Sequence, residues 1–530
     1  MHRTRHGLLT ATLLLCITTV SRSSHAQYTA NFQTNIISGV SSNWSTSYIV
    51  GSNTFADTLW VRSGGMLDVQ SQTAGCLGYE ASSSNNSAVI TGVNSKWDTG
   101  GMTVGLSGAG NSLVISNQGK VVSWDAGYSA GVLVSSSNNT ILISDTGSVW
   151  EVSGSQNLGY WGAGNSLIVS NGGQFWNLNS DTSYVGYEIS SSNNSLVVTG
   201  PGSVWSNNAD LYVGTAVTGP GLPVTMGGDQ VVVSGGGKLS TGDGAFLLGN
   251  WRCDNSLVVS NGGQMMTGSA YVGGDQSSNN VVLITGPGSF WTAYNLQLAL
   301  GAFHNSLIIT NGGRMTTANP YGGALASVAG SGRSNTVLVV DGGVWQGETI
   351  DFATYGSSNS LVVDGGAVAA TGLRLGYGAP DCNNVIQLDN GSITVTNGGT
   401  GVFEISGGAL VLNGGTLQAD VLVITNPCAQ FVHSGGTLIV SNVVLDPNLF
   451  RIVSVARQSN DMLITWMMGP GASNTLQVAT GAADGSYNAN GFTDVFVVTN
   501  NPTLGTVTNY LDVGAAMSGT TRYYRARLAP

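Results

Sequence analysis

The chain has 530 residues, of which 78 are Gly and 11 Pro, and only 8% are charged, against roughly 25% in an ordinary soluble domain. With 42% hydrophobic residues it holds enough apolar surface to fold, which excludes charge-driven disorder. A net charge of -11 repels polyanions at long range and excludes a basic nucleic-acid binder.

Residues 1–26 read as a signal peptide. Arg3, Arg5 and His6 precede the apolar run from Leu8 to Val20, and Ser24-His25-Ala26 is a small-x-small cleavage site. Cleavage there leaves Gln27 as the first residue of a chain expected to be secreted or held at the cell surface. The apolar run is too short to cross a bilayer and no later run reaches about 18 residues, so no membrane span is expected. Cys16 leaves with the signal, and Cys76, Cys253, Cys382 and Cys428 remain. None forms a Cys-x-x-Cys pair, which argues against zinc.

Residues 27–56 are expected to form an N-terminal cap. From Asp57 the chain repeats itself. Asn165 to Gln174 reads NSLIVSNGGQ, Asn255 to Gln264 reads NSLVVSNGGQ and Asn305 to Arg314 reads NSLIITNGGR. The leading Asn or Asp recurs at 57, 86, 111, 139, 165, 194, 229, 255, 280, 305, 335, 359 and 384, most often 25 residues apart. Counting this anchor as zero, offsets two to four are apolar in nearly every copy and offset five is usually Ser or Thr, a short β-branched strand. Offset eight is usually Gly, as at Gly65, Gly119, Gly173, Gly263 and Gly313, and marks a corner. Aromatic residues recur at offset eleven as Trp97, Trp150, Trp176, Trp205 and Trp291, with Met266 in the same phase. A third strand ends in Val-Gly or Leu-Gly, as in Tyr184-Val185-Gly186.

Three strands in about 25 residues make one coil of an all-β, right-handed parallel β-helix over residues 57–392. A propeller blade needs four strands and roughly 40 residues. Coils stack about 4.8 Å apart, giving a rod of roughly 60 Å on which the anchors form an amide ladder. The long step from 194 to 229 predicts a protruding loop over Thr215 to Gly228, with Pro220 and Pro223. Cys253 and Cys382 share a phase five coils apart, roughly 24 Å, too far for a bridge.

Residues 393–449 read as terminal coils and a cap. From about Phe450 basic residues gather, with Arg451, Arg457, Arg522, Arg525 and Arg527, and the apolar pattern suggests about seven strands, the size of a small β-sandwich.

The NSLVVSNGG and YVG blocks resemble the autotransporter and PEP-CTERM-associated repeat proteins, bacterial surface or secreted β-solenoids. The resemblance covers some 65% of the chain by our reading of the repeats and carries no catalytic motif. The C-terminal part resembles fibronectin type III-like modules through Leu463-Ile464-Thr465-Trp466 and Arg522-Tyr523-Tyr524-Arg525. Neither a translocator barrel nor a PEP-CTERM helix is read in this sequence.

β-Solenoids also include polysaccharide lyases and hydrolases, which need paired carboxylates or a base beside acid-bound metal. Asp145, Glu151, Asp181 and Glu188 fall at differing offsets and read as solvated turn residues. Gly127-Tyr128-Ser129-Ala130-Gly131 matches G-x-S-x-G, but without the strand-to-helix context that a nucleophile elbow needs. The expected protein is therefore a nonenzymatic structural or adhesive element that uses no cofactor. Its expected partners are a cell-envelope component, a glycan or a second copy. A glycan-binding or glycan-cleaving β-helix is the alternative, with Arg252, His304 and Arg333 on one edge as the glycan-contact candidates. The tryptophans at one phase are expected to pack between coils. At offset three stand Val89, Val114, Leu142, Ile168, Val197, Val232, Val258, Leu283, Ile308, Leu338 and Val362, flanked by apolar residues on both sides. Side chains alternate between faces, so an apolar stripe must point outward and is the candidate lateral interface.

Overall fold

The computed structural model describes residues 27–69, 73–124, 130–179, 181–215, 225–377 and 383–529. They belong to two compact units, Met1–Leu211 and Tyr212–Pro530. Each carries a parallel β-solenoid, about 15 turns in all, and no α-helix occurs among the described residues.

In the first unit, Thr34–Ser38, Thr58–Arg62, Ser87–Thr91, Ser112–Ser116, Thr140–Ser144, Ser166–Ser170 and Ser195–Thr199 pair in parallel, each with the next, to form the first sheet. A second sheet stacks Met66–Val69, Lys96–Thr99, Lys120–Ser123, Val149–Val152, Gln174–Asn177 and Val204–Asn207. Tyr48–Val50, Ala74–Leu77 and Gly101–Val104 begin a third. Parity is fixed by burial: Leu113 and Ile115, at offsets two and four, are fully buried, while Val114 between them faces outward.

The anchors form the expected ladder. Successive buried Asn anchors donate both the backbone N–H and the Nδ2–H to the Oδ1 of the anchor one coil on. The distances are 2.9 and 2.9 Å from Asn86 to Asn111, 2.8 and 3.0 Å from Asn111 to Asn139, and 3.0 and 2.9 Å from Asn139 to Asn165. The second unit repeats this from Asn255 through Asn280, Asn305, Asn335 and Asn359 to Asn384. A primary amide suits the site because its oxygen accepts twice while its nitrogen donates onward. Asp57 stands where the preceding coil offers Gln33 instead of Asn. Its Oδ1 accepts only the Gln33 N–H at 2.9 Å, and its Oδ2 accepts the Thr54 hydroxyl.

Corners between the first two sheets come in two lengths. In the SNGGQ type, Asn171 (φ 51°) and Gly172 (φ 87°) are left-handed, and Gly173 abuts the coil below. The TGPGSVW type is one residue longer. The added Ser is buried and accepts a backbone N–H from the previous coil: Ser95 from Gly64 at 3.1 Å, Ser148 from Gln118 at 3.0 Å and Ser203 from Gly172 at 3.0 Å. Strand register therefore pairs offset ten of a short corner with offset eleven of a long one, as Phe175 pairs with Trp205. Trp97, Trp150, Trp205 and Trp291 are buried as expected, with Phe175 stacked on Trp205 at 5.6 Å and 4°. Trp176 and Met266 follow short corners and face outward, against the packing expectation.

In the second unit the ladders continue to Ala429–His433 and Thr437–Leu445. The stretch predicted as a loop over Thr215 to Gly228 is not all loop, because Thr225–Met226 pairs in parallel with Arg252–Cys253. Residues 216–224 lie outside the described residues. Cys253 is a free thiol, 3.0 Å from Ser278 Oγ, in keeping with the absence of a bridge to Cys382, which also lies outside them. In the turn at 397–401, the backbone N–H groups of Asn397, Gly399 and Gly401 converge on Asp420 Oδ2 at 2.7, 3.0 and 2.9 Å. These bonds, led by that of Asn397, hold the Asp420 carboxyl below its usual range. A lowered folded pKa stabilises above the unfolded value, and the contribution is lost as pH falls through the folded one. Amide protection factors at residues 397–401 should fall in acid more than those of neighbouring turns, and Asp420→Asn should remove the difference. Identical pH profiles in both proteins would contradict this.

Beyond the coils, Arg451–Gln458, Asp461–Met468 and Thr506–Asp512 form one antiparallel sheet, and Thr493–Asn501, Gly471–Thr480 and Arg522–Ala529 another. These are six strands where the sequence suggests seven. Ile464, Trp466, Met468 and Leu476 form their common core, joined by Phe496 and Tyr510. Phe431 donates its backbone N–H to Pro502 O at 2.9 Å, and Gln430 bridges Thr503. This segment thereby covers the otherwise open edge of the terminal strand Ala429–His433.

Candidate functional site

The parity of the first sheet turns the offset-three residues outward. In the first unit Val89, Val114, Leu142, Ile168 and Val197 are successive in-register neighbours. In the second, Val232, Val258, Leu283, Ile308, Leu338 and Val362 are. Each is half-buried by the neighbours above and below it. Hydroxyl rows border the stripe on both sides and bond along it, as Ser166 Oγ to Thr140 Oγ1 at 3.2 Å and Ser116 Oγ to Thr91 Oγ1 at 3.0 Å. The result is a flat aliphatic face edged by short polar groups.

The three glycan-contact candidates do not come together. His304 and Arg333 are exposed on neighbouring coils, with the His304 N–H on Arg333 O at 3.3 Å. Arg252 is fully buried and belongs to the short strand that pairs in parallel with Thr225–Met226. It is not a surface residue, and the expected edge patch reduces to two side chains.

A different constellation assembles on the outer face of the second sheet in the first unit. Asp68 pairs with Asp98, Asp98 with Val122, Val122 with Glu151 and Glu151 with Trp176, all in one outward row. Beside it, Lys96 and Lys120 are neighbours and are two of the chain's three lysines. Lys96 Nζ lies 2.5 Å from Asp98 Oδ2, and Lys120 Nζ 2.7 Å from Glu151 Oε1. Trp124, 53% exposed, donates its indole N–H to Asp98 Oδ1 at 2.5 Å, and Trp176 donates to Gln174 Oε1 at 3.3 Å. Val122 also points outward yet is only 2% exposed, so the long side chains around it close over the strand.

Glu151 is thus a mid-strand residue and not a turn carboxylate, whereas Asp145 does sit in a corner at φ 74°. Offsets counted from the anchor hide the row: Asp68 and Trp176 stand at eleven, Asp98 and Glu151 at twelve. The extra corner Ser makes these positions equivalent. Allowing one added residue wherever a Ser closes the corner, as in TGVNS, SDTGS and TGPGS in place of NGG, recovers the alignment from sequence. Of the G-x-S-x-G match, residues 127–129 lie outside the described residues. Among the described residues no three His, Cys, Asp or Glu converge as metal ligands, and no helix is long and apolar enough to cross a membrane.

No family model and no curated protein matches the chain. Among solved structures it is similar to the crystal structure of a TibC-catalysed, hyper-glycosylated TibA fragment, with 12% sequence identity and a TM-score of 0.28, over 78% of this chain and 98% of that one.

Proposed function

We propose that the chain is an exported structural and adhesive β-solenoid without catalytic activity, acting outside the cell or at its surface through its lateral faces. The observation that carries this reading is the aliphatic stripe, presented coil after coil in each unit with hydroxyl rows beside it. Catalysis calls for one asymmetric constellation, whereas a repeated face multiplies one weak contact into a strong one. The buried amide ladder supports the same role by fixing the coil-to-coil spacing of that face. The export-type N-terminus supports a setting outside the cytoplasm. The two antiparallel sheets of residues 451–529 form a small, fibronectin type III-like sandwich that closes the solenoid edge. A second reading, glycan binding, is favoured by the tryptophans and carboxylates of the second sheet.

Replacing Val197, Val258 and Ile308 with Thr keeps β-branching while removing apolar area from the stripe. The triple variant should show weaker self-association in sedimentation velocity, or weaker retention on cells, with its circular dichroism unchanged. Unaltered sedimentation together with unaltered retention would reject the stripe as the contact surface.

A further inference from the structure

We propose that the outer face of the second sheet between Asp68 and Trp176 binds a neutral hexose-based glycan lying along the coil-stacking direction. This deepens the adhesive reading by naming a ligand class, and it rests on that reading for its setting outside the cell.

In-register residues of adjacent coils stand about 4.8 Å apart. Asp68 and Asp98 are therefore one step apart, while Asp98 and Glu151, and likewise the coils of Trp124 and Trp176, are two steps or roughly 10 Å apart. The indole of Trp124, which reaches back to Asp98, and that of Trp176 are separate aromatic platforms on one face, on different coils, as an extended saccharide requires. Both rings are held by their N–H groups, to Asp98 and to Gln174, which fixes their planes and leaves the Trp124 face largely in solvent. An indole that served only to pack the sheet would be covered, as Trp97 and Trp150 are. Rigid, half-solvated aromatic faces offer stacking to the C–H surface of a pyranose at low entropic cost.

The polar groups define the ligand's charge. Asp68 is half-buried and has no hydrogen-bond partner among the described residues, although it stands in register beside Asp98. With Lys96 and Lys120 engaged by Asp98 and Glu151, its carboxylate keeps free acceptor capacity for hydroxyl donors. Three carboxylates against two ammonium groups nearly cancel. A uronate chain would meet the carboxylates and a polyamine the lysines, whereas uncharged hydroxyls can donate to the first and accept from the second.

Isothermal titration of the chain with cellohexaose, mannohexaose, laminarihexaose and chitohexaose tests this. At least one should bind saturably, and Trp124→Ala and Trp176→Ala should each weaken it by about tenfold or more. Asp68→Asn should weaken it by a few fold, and all three variants should keep the thermal transition of the parent. Absence of saturable binding with all four oligosaccharides, or binding that both tryptophan variants retain, would overturn the proposal. The stripe variant should bind the oligosaccharide normally. If no oligosaccharide binds while cell retention still depends on the stripe, this site fails and the adhesive reading stands.

Discussion

Asn305→Ala should destabilise the second unit by about 3 to 6 kcal/mol, with amide protection lost first around the coils of Asn280, Asn305 and Asn335. Asn305 Oδ1 accepts the Asn280 backbone N–H at 3.0 Å and its Nδ2–H at 2.9 Å, and Asn305 Nδ2 donates to Asn335 Oδ1 at 3.2 Å. All three anchors are at most 1% exposed, so water cannot replace the missing partner without opening the coil. Two stranded donors and one weakened acceptor, at about 1 to 3 kcal/mol for each unsatisfied group, set the range. Because each coil touches only its neighbours, the loss should appear as local opening before global unfolding. Ser306→Ala, one residue away on the outer face, should change stability by less than about 0.5 kcal/mol. Equal denaturation profiles for the two variants would contradict a ladder that holds the coils together.

Gly263→Ala should be as damaging, for a different reason. A Cβ at Gly263 would lie 2.1 Å from Val233 O and 2.6 Å from Val233 C, both backbone atoms fixed in the first sheet. No rotamer relieves that overlap, so the corner must lift from the coil below, at a cost of about 3 kcal/mol or more. Gly398→Ala provides the contrast. Its φ of 57° disfavours Ala, but no atom lies within 4 Å of the added Cβ, and only the conformational cost of about 1 kcal/mol is expected. Chemical denaturation of both variants separates close coil stacking from backbone conformation alone. A Gly398→Ala loss equal to that of Gly263→Ala would show that contact with the coil below is not what selects glycine.

Much of this was legible in the sequence, because one coil is a local object written many times. The anchors, the three short strands and the outward stripe follow from spacing and parity, and the structure places Val114, Ile168 and Ile308 where the pattern does. Two features escaped because they depend on partners in neighbouring coils. The corner Ser, at Ser95, Ser148 and Ser203, bonds the coil before it, and without that contact the added residue looks like noise in the repeat. Its consequence was to scatter Asp68, Asp98, Glu151 and Trp176 over two apparent phases and to merge buried Trp205 with outward Trp176. Arg252 lies buried in a two-residue strand paired with Thr225–Met226, too short to announce itself in the sequence. The contact of Phe431 with Pro502 joins positions 71 residues apart and leaves no local signal.

The most direct test of a nonenzymatic surface role is to incubate the purified chain with immobilised cell-wall and extracellular polysaccharides and whole cells, and to measure both bound protein and released saccharide. The expected result is retention that the stripe or tryptophan substitutions reduce, with no new reducing ends or unsaturated products in the supernatant. Saccharide release that rises with time and protein concentration would contradict it.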